Sequence, residues 1–217
     1  MWTTRTKVGW GFVLLGALLL VWASSRYYFV GPEGRFQPEG YDGHMPGLLL
    51  HISAMSVAVL AGPFQLLRSL RERHFGFHRA LGTVYVVSAL LGGLGGLYMA
   101  PFSAYGLGTH LAFTILGAGV LATTSIAFVR IRGGDVQSHR EWMTRSYALI
   151  FAAVTLRLYL PFLEAAFGEK LGYQIVAWAC FVPNALFAEW LIRTRLRRHP
   201  EPPRWAPAAA PSPTPLT

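Results

Sequence analysis

Charge is scarce in this chain of 217 residues. Asp, Glu, Lys and Arg together make up 13% of it, about half the share found in an ordinary soluble domain. A globule facing water on all sides cannot be covered from so small a stock. Cysteine is nearly missing as well. Cys180 is the single one and lies in an apolar stretch, so neither an intramolecular disulfide nor a cysteine metal cluster can form. Acidic residues number 10 against 19 basic ones. The sequence also has no nucleotide-binding glycine loop, no hydrolase triad signature and no zinc-binding helix motif, which sets aside soluble-type chemistry.

Apolar residues fill the space, at 53%, and they are blocked into runs. Six can be marked, at about 8–30, 46–67, 80–100, 106–129, 146–163 and 172–192. Each approaches or exceeds the roughly 18–20 residues that cross a ~30 Å hydrocarbon core as a helix. Membrane strands would show segments of about ten alternating residues instead. The expected fold is therefore all-α: a polytopic membrane protein whose six transmembrane helices occupy residues 1–197 and are embedded in the lipid bilayer. The first run has a basic start and a small-residue "WASS" at 22–25, as a signal peptide does. It is longer than a typical signal core, and the expectation is an uncleaved helix. Residues 199–217 hold seven of the fourteen prolines, and 198–217 read as a disordered Pro/Ala-rich cytoplasmic tail.

The net charge of +9 would suit nucleic acid, but its placement argues otherwise. Fifteen of the 19 basic residues fall before the first run, between the second and third, between the fourth and fifth, or after the sixth. Arg26, Arg35 and Lys170 lie on the opposite side, and Arg157 falls inside a run. Such alternation follows the positive-inside rule and places both termini in the cytoplasm of a cell whose inner membrane holds the protein. No nucleic-acid partner is expected.

Two stretches echo each other: "FHRALGTVYV" at 77–86 and "SHREWMTRSY" at 138–147. His78 precedes Tyr98 by twenty residues, and His139 precedes Tyr159 by twenty. Upstream, "GLLLHISA" carries His51 and "GLGTHLAF" carries His110. Helices two and three thus look like a tandem duplicate of helices four and five, which together would form a central four-helix bundle. With ~1.5 Å rise per residue, His51 and His110 fall at one depth near the outer boundary. His78 and His139 fall together near the inner one.

Two imidazoles at one depth on different helices are what a six-coordinate b-type haem needs. One or two haems b would make the protein a transmembrane electron carrier, with His51, His110, His78 and His139 on iron and a quinone or small reductant as partner. "GGLGGLY" at 92–98 and "ILGAGV" at 115–120 would supply room, or else close helix packing. Arg157 would face a propionate at the outer site, or pair with Glu164; Arg79, Arg140 or Arg145 would serve the inner one. Other readings stand beside this. The HR pairs would be interfacial anchors, with Trp142 and Tyr147 at the head groups. His51 and His110 would be hydrogen-bonded in the interior. His74 is a substitute ligand, while His44 and His199 are expected in solvent. Arg157, Glu189 and Asn184 would mark a transporter or small-ligand site, with Glu189 otherwise pairing with a cytoplasmic-side arginine. Last, the chain would be an accessory subunit without a cofactor.

The stretches "AGPFQLLRSLRERHFGFHRALGTVYV", "GGDVQSHREWMTRSYAL", "VTLRLYLPF" and "AWACFVPNALFAEWLIR" resemble a bacterial family of predicted membrane proteins, domain of unknown function 2306, over about residues 45–192. That resemblance implies a membrane protein and no activity. A weaker, architectural resemblance is to the six-helix, two-haem transmembrane cytochromes b. It implies one haem between His51 and His110 and another between His78 and His139.

Overall fold

The computed structural model describes residues 4–29 and 41–197. The proposed tail 198–217 and His199 lie outside the described residues. Within them the chain is helical: α1 (Thr4–Phe29), α2 (Met45–Gln65), a short α3 (Arg68–Arg73), α4 (Phe75–Met99), α5 (Leu107–Arg132), α6 (Val136–Ile150), α7 (Ala152–Phe167), α8 (Glu169–Ala179) and α9 (Val182–Leu191). Six stretches are long and apolar enough to cross a membrane: Val8–Phe29, Met45–Gln65, Phe75–Phe102, Leu107–Arg132, Val136–Phe167 and Glu169–Leu196. All six sequence runs are therefore found, but the fifth begins ten residues before 146. The polar "VQSHREWMTR" continues the helix because its charges find partners across the bundle rather than ending the span.

Helices α2, α4, α5 and α6–α7 pack in a ring, each touching the next, with α1 laid against α2 and α7 and the α8–α9 pair against α5, α6 and α7. The tightest pairs are α2 with α4 and α5 with α6. Small residues allow the first approach. A Cβ on Gly95 would lie 3.1 Å from the Cα of His51, and one on Gly96 would lie 3.0 Å from its ring.

A proline that interrupts a hydrogen-bond ladder releases a carbonyl, and at Pro63 a side chain takes it up. Pro63 lies inside α2 and has no N–H to give to Val59 four residues back. The hydroxyl of Tyr147 on α6 donates to the Val59 carbonyl instead, at 3.1 Å. The ring reaches it through a slot at Gly62, where any Cβ would overlap it. Tyr147 is thus buried and is no interfacial anchor, contrary to expectation. Pro63's own carbonyl accepts from the Trp10 indole at 2.9 Å.

The fifth and sixth spans are each divided. Phe151 separates α6 from α7, and Cys180 and Phe181 separate α8 from α9 just before Pro183. The two divisions face each other. Thr155 Oγ1 donates to the Cys180 carbonyl at 2.6 Å. Asn184 Nδ2 donates to the Ala148 carbonyl at 3.2 Å and to Thr155 Oγ1 at 3.1 Å. Asn184 is therefore engaged in joining two spans.

At the arginine-rich end, α6 is clamped to the last span. Arg145 grips Glu189 with Nε at 2.5 Å and Nη2 at 3.1 Å, and Arg197 grips Glu141 at 3.2 and 3.0 Å. Glu141 and Arg145 stand one turn apart, 4.0 Å from each other, so four charges form one row. The Arg145 guanidinium also lies 4.5 Å over the Trp142 ring. Deeper in, Tyr85, Thr124 and Ser146 join α4, α5 and α6, with Ser146 Oγ 2.8 Å from the tyrosine hydroxyl and 2.7 Å from the threonine.

Candidate functional site

Opposite the clamp, the far half of the bundle holds a cation with no matching acid among the described residues. Arg157 is carried by α7, two residues past the Thr155–Asn184 joint. Its Nη1 donates to the Ala153 carbonyl one turn back at 3.2 Å, and its Nη2 to Ser24 Oγ on α1 at 3.3 Å. Among the described residues no carboxylate makes an ion pair with it. Glu164, its expected partner, sits two turns farther along α7 and feels Glu169 across the α7–α8 turn. Seven residues of helix set their Cα atoms about 10 Å apart along the axis, and no ion pair joins the two side chains.

Phenols lie near this guanidinium. Tyr27 of α1 and Tyr173 of α8, both buried, lie within its electrostatic reach, and Tyr41 is hydrogen-bonded to Tyr173. Burial and the neighbouring Tyr173 and Tyr27 push the Tyr41 phenol well above its ordinary range, so it stays a neutral hydroxyl. Tyr27, Leu48, Ile52 and Met99 form a buried apolar cluster beside them, with Tyr41 packed against it. Tyr173 packs in turn on Tyr105 and Phe113, with ring centroids 5.3 and 6.2 Å away.

His51 completes the far-half group, since it too feels the Arg157 charge. Its Nδ1 lies 2.7 Å from the Gly92 carbonyl of α4, which makes Nδ1 the protonated nitrogen. His110 differs. Its Nε2 lies 2.8 Å from the Ser103 carbonyl, in the connection just before its own helix. The glycines that would make room for a macrocycle are already in van der Waals contact. A Cβ on Gly92 would meet Met55 at 2.8 Å, one on Gly93 Leu121 at 2.7 Å, one on Gly117 Leu97 at 3.1 Å and one on Gly119 Leu149 at 3.0 Å. As arranged, His51 and His110 do not fit a shared bis-histidine haem.

At the basic end, His139 in the first turn of α6 sets Nδ1 2.8 Å from the Ala127 carbonyl of α5 and is near Arg71. His78, in the first turn of α4, packs against Phe75 with ring centroids 6.3 Å apart. His74 is exposed at the α3–α4 junction. His44 is not in open solvent as expected: it stacks on Phe102 at 3.6 Å and its Nδ1 meets the Tyr98 hydroxyl at 2.8 Å. Among the described residues no group of three or more His, Cys, Asp or Glu is placed to hold a metal ion.

Sequence reasoning found Arg157 and His51 but missed Ser24, Tyr27, Tyr41 and Tyr173. A signal was present, since a hydroxyl in a lipid-spanning run needs a partner. Ser24 was instead part of the small-residue "WASS". The family model described as "Predicted membrane protein (DUF2306)" matches residues 48–192. No curated protein and no solved structure matches the chain.

Proposed function

Since the chain belongs to the DUF2306 family of predicted membrane proteins, its chemistry is set in a lipid bilayer, and we propose that it binds a small anionic ligand at Arg157, as a membrane receptor or transporter. The protein would span the inner membrane with both termini in the cytoplasm, which puts Arg157 in the outer half. One observation carries this: a half-buried guanidinium with a serine, a backbone carbonyl and phenols about it, and no carboxylate among the described residues. An arginine at a helix centre in a membrane costs about 2.5–3.5 kcal/mol on insertion scales. Arg145, largely buried at the other end of the bundle, is paired with Glu189. At Arg157 an incoming anion would meet that cost. Binding of a radiolabelled carboxylate by the purified protein, lost in Arg157→Gln while the helical circular dichroism persists, is the test. Equal binding by the variant would remove Arg157 from the site.

An electron-carrier role, with haem b and a quinone or small reductant, has one point in its favour. His51 and His139 each hold Nδ1 on a carbonyl, the tautomer that leaves Nε2 for a metal. When bound, such a group would supply one-electron transfer. Against it stands His110, whose Nε2 is held on the Ser103 carbonyl.

A further inference from the structure

The turn between α5 and α6, at the basic end, builds two opposite charges into a rigid frame. Gly134 has φ 81°, the left-handed conformation that closes many helices. Around it the Gly134 N–H donates to the Ile131 carbonyl at 3.1 Å, and the Asp135 N–H to the Arg130 carbonyl at 2.9 Å. These are the two bonds of a Schellman ending, and they return the chain so that Asp135 stands beside Arg130. Asp135 Oδ1 then caps α6 by accepting from the Ser138 N–H at 2.9 Å. Its Oδ2 faces Arg130 Nη1 at 3.8 Å, beyond the roughly 2.7–3.2 Å of a direct hydrogen bond. Both side chains are about half exposed. The charges are held close without closing on each other.

An open groove of about 480 Å³ runs from this pair along α5, lined by Ser125, Ile126, Val129, Arg130, Gly133 and Asp135. Its volume falls in the range of small-molecule sites, about 300–1,000 Å³. Val129 is 65% exposed, so the apolar wall faces the bilayer rather than the protein interior. With 26 residues, α5 extends about 39 Å, longer than a ~30 Å hydrocarbon core. Its last turn, with Arg130, therefore reaches the head groups. Ser125 lies five residues deeper, about 7.5 Å along the axis, where the ester linkages of a lipid follow its phosphate.

Among the described residues the groove is lined by one guanidinium and one carboxylate. Arg132, two residues past Arg130, falls on another face of the helix. A head group bearing only a phosphate gains at Arg130 and is repelled at Asp135. A zwitterion of phosphate and ammonium satisfies both. A primary ammonium also donates hydrogen bonds to a carboxylate, which a quaternary one cannot do. We propose that this groove is a lipid site selective for phosphatidylethanolamine. The phosphate sits on Arg130, the ammonium on Asp135, the ester region at Ser125 and an acyl chain along Ile126 and Val129.

Purified full-length protein would be placed at pH 7 in nanodiscs of equal parts phosphatidylethanolamine, phosphatidylcholine and phosphatidylglycerol with identical acyl chains. Native mass spectrometry then identifies the lipid retained most strongly as the disc is stripped away. Phosphatidylethanolamine is expected to be enriched at least about tenfold over each of the others. Asp135→Asn keeps the α6 cap, since asparagine caps as well as aspartate, and removes the carboxylate. That variant should turn the preference toward phosphatidylglycerol, an inversion that a merely structural role would not produce. Arg130→Gln should lose the enrichment with no gain for phosphatidylglycerol; should it fail to fold, Asp135→Asn decides alone. Phosphatidylglycerol held as strongly as phosphatidylethanolamine by the parent protein would overturn the proposal. So would a phosphatidylethanolamine preference left unchanged by Asp135→Asn, or retention of no lipid beyond its share in the disc.

Discussion

The hydroxyl of Tyr147 donates to the carbonyl of Val59 at 3.1 Å, and Pro63 creates that bond by leaving the carbonyl without its helical donor. Tyr147→Phe keeps the ring in the Gly62 slot and strands a buried acceptor, at about 1–3 kcal/mol. Thermal unfolding in detergent should show a lower midpoint for the variant. Gly62→Ala should be worse, because its methyl group overlaps the ring. A Tyr147→Phe protein as stable as the parent would mean the carbonyl finds another donor.

The row Arg197, Glu141, Arg145, Glu189 fastens the end of the sixth span to α6. Glu189→Gln should loosen that end, raising hydrogen exchange over 185–197 and lowering stability by about 1 kcal/mol. Swapping the pair, Arg145→Glu with Glu189→Arg, should recover part of the loss. Both single changes together costing the sum of each alone would show that the two groups do not cooperate.

Orientation is open to a direct check. With Cys180 replaced by alanine, cysteines introduced at Glu72 and Asp135 should resist a membrane-impermeant thiol reagent applied to intact cells. Both react once the membrane is broken. Efficient labelling of either from outside would reverse the proposed topology.

A visible spectrum decides the electron-carrier role. A low-spin bis-histidine haem gives a sharp Soret band and resolved α and β bands on reduction. If it is present, His51→Ala and His110→Ala should each remove the outer signal, and Arg157→Ala should shift its potential. Folded protein that is colourless after expression with ample haem sinks that role and leaves the anion site unaffected.

The joint at Thr155 and Asn184 is also testable. Asn184→Leu removes the bonds to Ala148 and Thr155, so the two divided spans should separate more easily. Lowered thermal stability by about 1–2 kcal/mol is expected, measured against Asn184→Gln, which keeps the amide.

The sequence by itself determined the six spans, the basic end and the positions of His51, His110 and Arg157 along their helices. Hydropathy and charge are summed residue by residue along one dimension, and a bilayer imposes a fixed span length, so these features need no partner to be read. The HR stretches were legible as helix entries at the basic end for the same reason. Partnership was decided by the tertiary structure. Tyr147 looked interfacial until the Gly62 slot and the carbonyl freed by Pro63 drew it inside. His51 and His110 hold matching places in the two sequence stretches, yet one bonds across to Gly92 and the other back to Ser103. Glu189 found Arg145, while Arg157 met Ser24 of the first span. Such choices depend on how each helix is rotated about its axis and on which backbone groups its breaks release, and neither is set until all six helices have packed together.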